Sequence, residues 1–271
     1  MKRYLKPLLI LLVPLAAWGA TVTGGTITGG SVNVVAVGSG TDFTLDAACI
    51  AAWDMGASDT TINDICDTGT DNVLTETGTP AFVAGTSDGI TGYYDINTDE
   101  LWYAPDDAEF DALEGAKDFS ACCMTQIPTG ATRESFGMII NRNSSEWFLN
   151  YLATSAGFNV RMPTDIAQTG TNTTDDIWYA ACLTYTTSTD TLSVKTVDTG
   201  ITVNSDVRSD PPTSTERITI GCSEQGINCN DQYIAACMVL DKEMTDTEVC
   251  QFAAYGPEGN NWDRSATVTC E

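Results

Sequence analysis

Three acids, Glu109, Asp111 and Glu114, stand close together in the stretch EFDALE. A retaining glycosidase works with two carboxyl groups about 5–5.5 Å apart, one ionised and one protonated. On a strand, Glu109 and Asp111 would share a face. Glu114 would turn away from them unless a bulge intervened. The flanks argue against a central strand, because Pro105-Asp106-Asp107 precede the stretch and Gly115 follows it. Phe110 and Leu113 have the spacing of one helical turn that pins a loop to a core. The expectation is a surface turn with two apolar anchors, with Glu109, Asp111 and Glu114 kept as the candidate catalytic groups.

Other residues have the types needed for binding. Asp95-Ile96-Asn97-Thr98-Asp99 alternates oxygen ligands in the manner Ca²⁺ requires, although Glu100 stands where a helix–loop–helix calcium site needs Gly. Asp67, Asp71 and Asn72 form a second acidic loop that could converge with the first. Asp95, Asn97, Asp99, Asp67 and Asp71 are therefore the candidate ligands of one structural calcium ion, against the alternative of solvated loop carboxylates. Exposed rings stack on sugar C–H faces, and Trp102, Trp147 and Tyr151 are candidates for such a platform. Packing inside the fold is the alternative for them, and the favoured reading for Trp53 and Trp178. Trp102 and Tyr103 alternate in direction along a strand, so at most one faces the core.

The residues that are missing narrow the chemistry further. The chain has no His, which removes Ser-His-Asp and Cys-His mechanisms and any Cys/His zinc site. No paired C-x-x-C knuckles exist to form a Cys-only zinc site. With 37 acidic and 12 basic residues the formal charge is −25, so the chain repels nucleic acid and anionic membranes. Such an excess suits a salty exterior, where screening weakens self-repulsion.

The elements that must position these groups read as mostly β. MKRYLKPLLILLVPLAAWGA has a basic start, a short apolar run and a small-x-small end, and is expected to be a signal peptide over residues 1–20. Residues 21–45 form a Gly/Thr/Val-rich lead-in. From there to about Tyr255, short β-prone runs such as CIAAW, LWYA, FSACCMTQI, WYAACLTYT and YIAACMVL alternate with Gly, Asn, Asp, Thr and Pro clusters. This pattern predicts a sandwich or barrel. Thr245-Asp246-Thr247-Glu248 is a capping box, Val249, Phe252 and Ala253 recur at helical spacing, and Gly256 offers a stop, so one short helix is expected near the end. A tail follows over 257–271.

The order of these motifs resembles the concanavalin A-like jelly-roll domains, specifically the laminin G-like and pentraxin branch, over about residues 46–256. CIAAWDM resembles the opening strand. Phe119-Ser120 begins a run similar to the family's "F-T-x-x-x-W" strand, with Met124 in place of the usual aromatic. WYAACLTYT is similar to "W-x-x-x-A-x-T-Y", and RITIG to the closing "I-x-I-G". Ala235-Ala236 stand where the last strand usually carries an Asp pair. The resemblance implies an all-β, two-sheet antiparallel jelly-roll sandwich with one short C-terminal helix. It also implies that Cys122 pairs with Cys182, and that Glu224, Gln225 and Asp231 lie where pentraxins place part of a calcium site. E-x-D-x-x-E is the catalytic pattern of laminarinase- and lichenase-like hydrolases, where it lies on a bulged central strand.

Ten Cys on an exported chain predict disulfides. Cys222 and Cys229 flank a short loop and are expected to staple it. Cys49 with Cys66, and Cys250 with Cys270, are the local pairings. Cys123 and Cys237 share the apolar phase of their strands and are expected to be buried thiols. The function expected is recognition of a carbohydrate or other extracellular surface ligand by a secreted or cell-surface module, with no nucleic-acid partner and no membrane insertion. A glycoside hydrolase or polysaccharide lyase on the same fold is the alternative, and a structural protein of an extracellular or phage-like assembly the second.

Overall fold

The computed structural model describes residues 40–66, 72–97, 99–105, 110, 113, 117–129, 136–141, 147–152, 157–162, 165–168, 173–207, 217–221 and 231–269. Among them the chain is an antiparallel two-sheet sandwich with a short helix. The first sheet runs β14 (Ile201–Val207), β13 (Thr191–Val197), β12 (Trp178–Thr186), β7 (Phe119–Gln126), β16 (Gln232–Leu240), β5 (Ile90–Ile96) and β4 (Ala81–Ser87), and β1 (Cys49–Asp54) also pairs with β16. The second runs β11 (Asp165–Gln168), β10 (Gly157–Met162), β9 (Phe148–Leu152), β8 (Phe136–Asn141), β15 (Ile218–Ile220), β6 (Leu101–Tyr103), β3 (Leu74–Thr77) and β2 (Thr61–Ile62).

The central strands of the first sheet are apolar on both faces, which is the pattern of a sheet covered on both sides. β7 sends Phe119, Ala121 and Cys123 into the core between the sheets, and Cys122 and Met124 to the opposite side. β12 divides in the same way: Tyr179, Ala181, Leu183 and Tyr185 face inward, and Trp178, Ala180 and Cys182 face outward. A register shift between Ile234 and Ala236 in β16 puts both Ala235 and Ala236 on the outward side. The inner core is completed by Trp53, Trp102 and Trp147.

The outer core has an irregular lid. It is covered by Phe43, by helix α1 (Asp246–Tyr255) and by Trp262 and Val268 from the tail. Thr245 caps α1 through the expected capping box, and Gly256 ends it at φ +82. A Cβ at Gly256 would meet the Asn261 side chain at 2.7 Å, so both conformation and space require glycine there. Arg264, 1% exposed, reaches from the tail into this core.

Three disulfides are formed among the described residues, and no described cysteine is free. Cys49–Cys66 and Cys122–Cys182 are the pairs expected. Cys123 and Cys237 are not thiols: they are bonded to each other. The reason is register. β7 lies between β12 and β16, so Cys122 faces Cys182 and Cys123 faces Cys237, directly across the ladder and on opposite faces of the sheet. Cys250 is also disulfide-bonded, while Cys270, Cys222 and Cys229 lie outside the described residues.

Candidate functional site

One row on the outward face of the first sheet runs out from under the lid, from buried Trp178 and Gln126 to half-buried Tyr233 and Asp95. It follows the register Asp95, Tyr233, Gln126, Trp178 over β5, β16, β7 and β12. Tyr93, on the same face of β5, completes it. The Tyr93 and Tyr233 rings lie 4.8 Å apart between centroids, tilted by 36°, and Tyr93 meets Trp178 edge-on at 5.2 Å. Trp178 is buried and anchored by its indole N–H, which donates to the Ser87 hydroxyl at 3.2 Å. Both tyrosines are half-buried, so the pair rests on the outer core and shows part of its surface to solvent. Neither tyrosine hydroxyl has a hydrogen-bond partner among the described residues. Gln126, 3% exposed, lies between Tyr233 and Trp178, and its carboxamide makes no hydrogen bond among them either.

Carboxylates surround the pair. Burial, and then the charges of Asp231 and Glu100, hold the Asp95 carboxyl above the usual carboxylate range. Burial, then Asp95, raises the Tyr93 phenol. The Tyr233 phenol is raised by burial and then by Asp95, with Asp176 and Asp231 contributing. Asp176 has the opposite shift. It accepts the Thr129 hydroxyl and, at 2.8 Å, the Thr129 N–H, and those bonds lower its carboxyl. The patch therefore combines ring faces, a free amide and negative charge. Rings, amides and carboxylates of this kind hold polyhydroxylated rings: the faces take C–H groups, and the amide and carboxylates take hydroxyls.

Of the residues singled out from the sequence, Asp95 and Asp231 belong to this patch, and the other described candidates lie elsewhere. Trp102, Trp147 and Tyr151 are fully buried in the inner core, in contact with Tyr94, Phe119 and Phe158 respectively. A ring with no exposed face cannot stack on a sugar, so packing accounts for all three. Phe110 and Leu113 are buried in the same core, and the Leu113 N–H donates to the Phe110 carbonyl at 3.0 Å. Glu109, Asp111 and Glu114 lie outside the described residues, as do Asp67, Asp71, Glu224 and Gln225.

The β5–β6 loop closes on itself. The Asn97 N–H and side-chain amide both donate to Glu100, at 2.8 and 3.3 Å, and Asp99 is exposed at φ +68. Among the described residues no three of Cys, Asp and Glu converge as metal ligands. This covers Asp95 and Asp99 but not Asp67 and Asp71, the other acids of the expected calcium set, which lie outside the described residues. The Tyr93–Tyr233 pair was missed because its members are far apart in the chain. The available signals were the doubled aromatic in GYYDI and the acid two residues before Tyr233 in DQYI.

No family model matches the chain, and no curated protein matches it. Solved structures do. One is the binding domain of botulinum neurotoxin DC in complex with rat synaptotagmin II, at 11% identity and a TM-score of 0.57, over 74% of this chain and 50% of that one. Another is botulinum neurotoxin type C, whose cell entry is dependent upon interaction with two ganglioside molecules, at 10% identity and 0.55, with the same coverage. A third is the botulinum neurotoxin type G receptor binding domain, at 13% identity and 0.50, over 75% and 50%. The chain spans about half the length of the structures it matches, and the likeness is one of fold.

Proposed function

We propose that this chain is an exported recognition module, of the laminin G-like type its sequence resembles, that binds a carbohydrate or other surface ligand through the Tyr93–Tyr233 patch. The observation that carries this reading is the half-buried ring pair with hydroxyls unpartnered among the described residues, set beside the Gln126 amide and near the carboxylates of Asp95, Asp176 and Asp231. Binding to receptors and gangliosides by proteins of similar fold supports it. Three disulfides fit an oxidising compartment. No helix among the described residues is long and apolar enough to cross a membrane.

The test is a glycan array probed with oxidised protein, once in calcium and once in chelator, beside the Tyr93→Ala/Tyr233→Ala double variant. Binding to a defined glycan that falls at least tenfold in the double variant is expected. Binding that survives both substitutions would remove the patch from the reading. Sensitivity to chelator would support the calcium ion expected from the sequence.

A second reading, a component of an assembly, is favoured by β14. This edge strand is exposed along its whole length and shows Ile201, Val203 and Val207 to solvent. Unpaired edges of that kind template pairing with another chain. A concentration-dependent shift on a sizing column, absent in a Val203→Lys variant, would support it.

A further inference from the structure

The patch carries more information than its rings. Building on the recognition reading of this site, we infer that its ligand is a saccharide bearing a free ammonium group, held with the cation over Tyr93 and Tyr233 and against Asp95 and Asp231. Four observations converge.

The first is the ring pair, which presents aromatic surface beside solvent. Aromatic faces attract organic cations through the ring quadrupole, more strongly where water is partly excluded. The second is uncompensated charge. Asp95 and Tyr233 are cross-strand partners, and Asp95 is close enough to Asp231 and Glu100 to be disfavoured in its ionised form by both.

The third is where the described cations are spent. Lys117 faces Asp241, and Lys195 faces Glu243 and Asp246. Lys242 faces Asp46 and Glu248, and Arg264 faces Asp88. Arg217 lies over the Tyr103 ring. None of these pairings reaches the Tyr93–Tyr233 rings, so among the described residues no protein cation neutralises them. A phosphorylated, sulfated or carboxylated sugar wants Arg or Lys and would meet carboxylates here. An ammonium supplies the missing charge.

The fourth is Gln126. It is nearly buried on the same row, and its carboxamide is unmatched among the described residues. It offers both donor and acceptor to ring hydroxyls beside the cation. A small hard cation would take the amide oxygen but leave the ring faces and the amide N–H unused.

Isothermal titration with short oligomers of glucosamine, against N-acetylglucosamine oligomers of the same length, tests the inference on the oxidised full chain. The free-amine form is expected to bind on the order of tenfold tighter. Asp95→Asn with Asp231→Asn should remove that preference while leaving the acetylated oligomer bound. Tyr93→Phe with Tyr233→Phe should keep binding, and the corresponding Ala pair should lose it. Equal binding of both oligomers through the tyrosines would overturn the ammonium inference and leave the recognition reading intact. Tighter binding of the amine form that ignores the Tyr→Ala pair would be adsorption to a chain of charge −25, and would overturn it as well. No binding of either oligomer would also overturn it, and the array would then judge the recognition reading with other glycans.

Discussion

The two faces of the first sheet are packed by different means. Between the sheets, strands meet strands, and the core is made of alternating side chains with large rings: Trp53, Trp102, Trp147, Phe119 and Tyr185. No Lys or Arg is among its described members. On the outward face the cover is helix α1 and irregular chain from both ends, and two long cations are buried there. Arg264 donates to Asp88 at 2.7 and 2.9 Å, to the Ala253 carbonyl at 3.3 Å and to the Trp178 carbonyl at 3.2 Å. Lys195 donates to the Met244 carbonyl at 2.7 Å. Strand interiors satisfy their own backbone, whereas the last turn of a helix, the first residue of a strand and irregular chain leave carbonyls that something else must meet. The outer core uses side-chain donors for that task, and this makes it the more breakable of the two.

The largest effect is expected from the bridges that tie both cores to β7. Cys123–Cys237 closes 114 residues and Cys122–Cys182 closes 60. Converting either pair to Ala should cost about 4 kcal/mol on the loop-closure model, the longer loop slightly more. Urea unfolding would measure it. Equal costs within error would mean that loop length does not set them. Arg264→Ala should follow at about 2–3 kcal/mol, since it takes the donor away from the Ala253 and Trp178 carbonyls, whereas exposed Asp88 is rehydrated. The two cores then separate by hydrogen exchange. Protection should fall in α1 and residues 257–269 while β9 and β10 keep theirs. Uniform loss over both would show that the outer core is not a separate unit.

How much of this was legible in the sequence depends on the same division. Runs such as WYAACLTYT and FSACCMTQI declare themselves as buried strands by length and β-branched or aromatic content, and both are strands in the inner sandwich. The capping box at Thr245 is a local signal and was equally plain. The Cys123–Cys237 bridge was hidden, because it depends on β16 being the other neighbour of β7, a fact of strand order rather than of local pattern. Arg264 was hidden in a Gly/Asn-rich tail that looks solvated. The aromatic candidates failed for a related reason: Trp102 and Trp147 are the residues best suited to sugar stacking by type, but burial depends on which face the sheet covers. Tyr93 and Tyr233 became neighbours only through the β5–β16 register.

The smallest effect should come from the ionic link of the lid whose cation is itself partly exposed. Lys242 donates to Asp46 and, at 2.8 Å, to Glu248, joining the chain before β1 to the first turn of α1. The Asp46 carboxyl is lowered, chiefly by the Lys242 hydrogen bond. Burial alone would raise Glu248, but bonds from Lys242 and Thr245 outweigh it and the net shift is downward. Burial likewise opposes the Lys242 charge, and its two acids more than restore it. Carboxyls lowered by folding stabilise the native state above their unfolded pKa, and that contribution is lost as pH falls through the folded values. All three side chains are about a quarter to a third exposed, so solvent screening limits the link to about 1 kcal/mol. Lys242→Met should therefore lower stability by about that amount at neutral pH. The gap from the parent should close as pH falls below the ordinary carboxylate range, because neither acid is then charged. Thermal unfolding of both proteins across that range would show it. A gap that persists in acid would mean that Lys242 acts through the packing of its stem, and the lid would then resemble the inner core more closely than its buried cations imply.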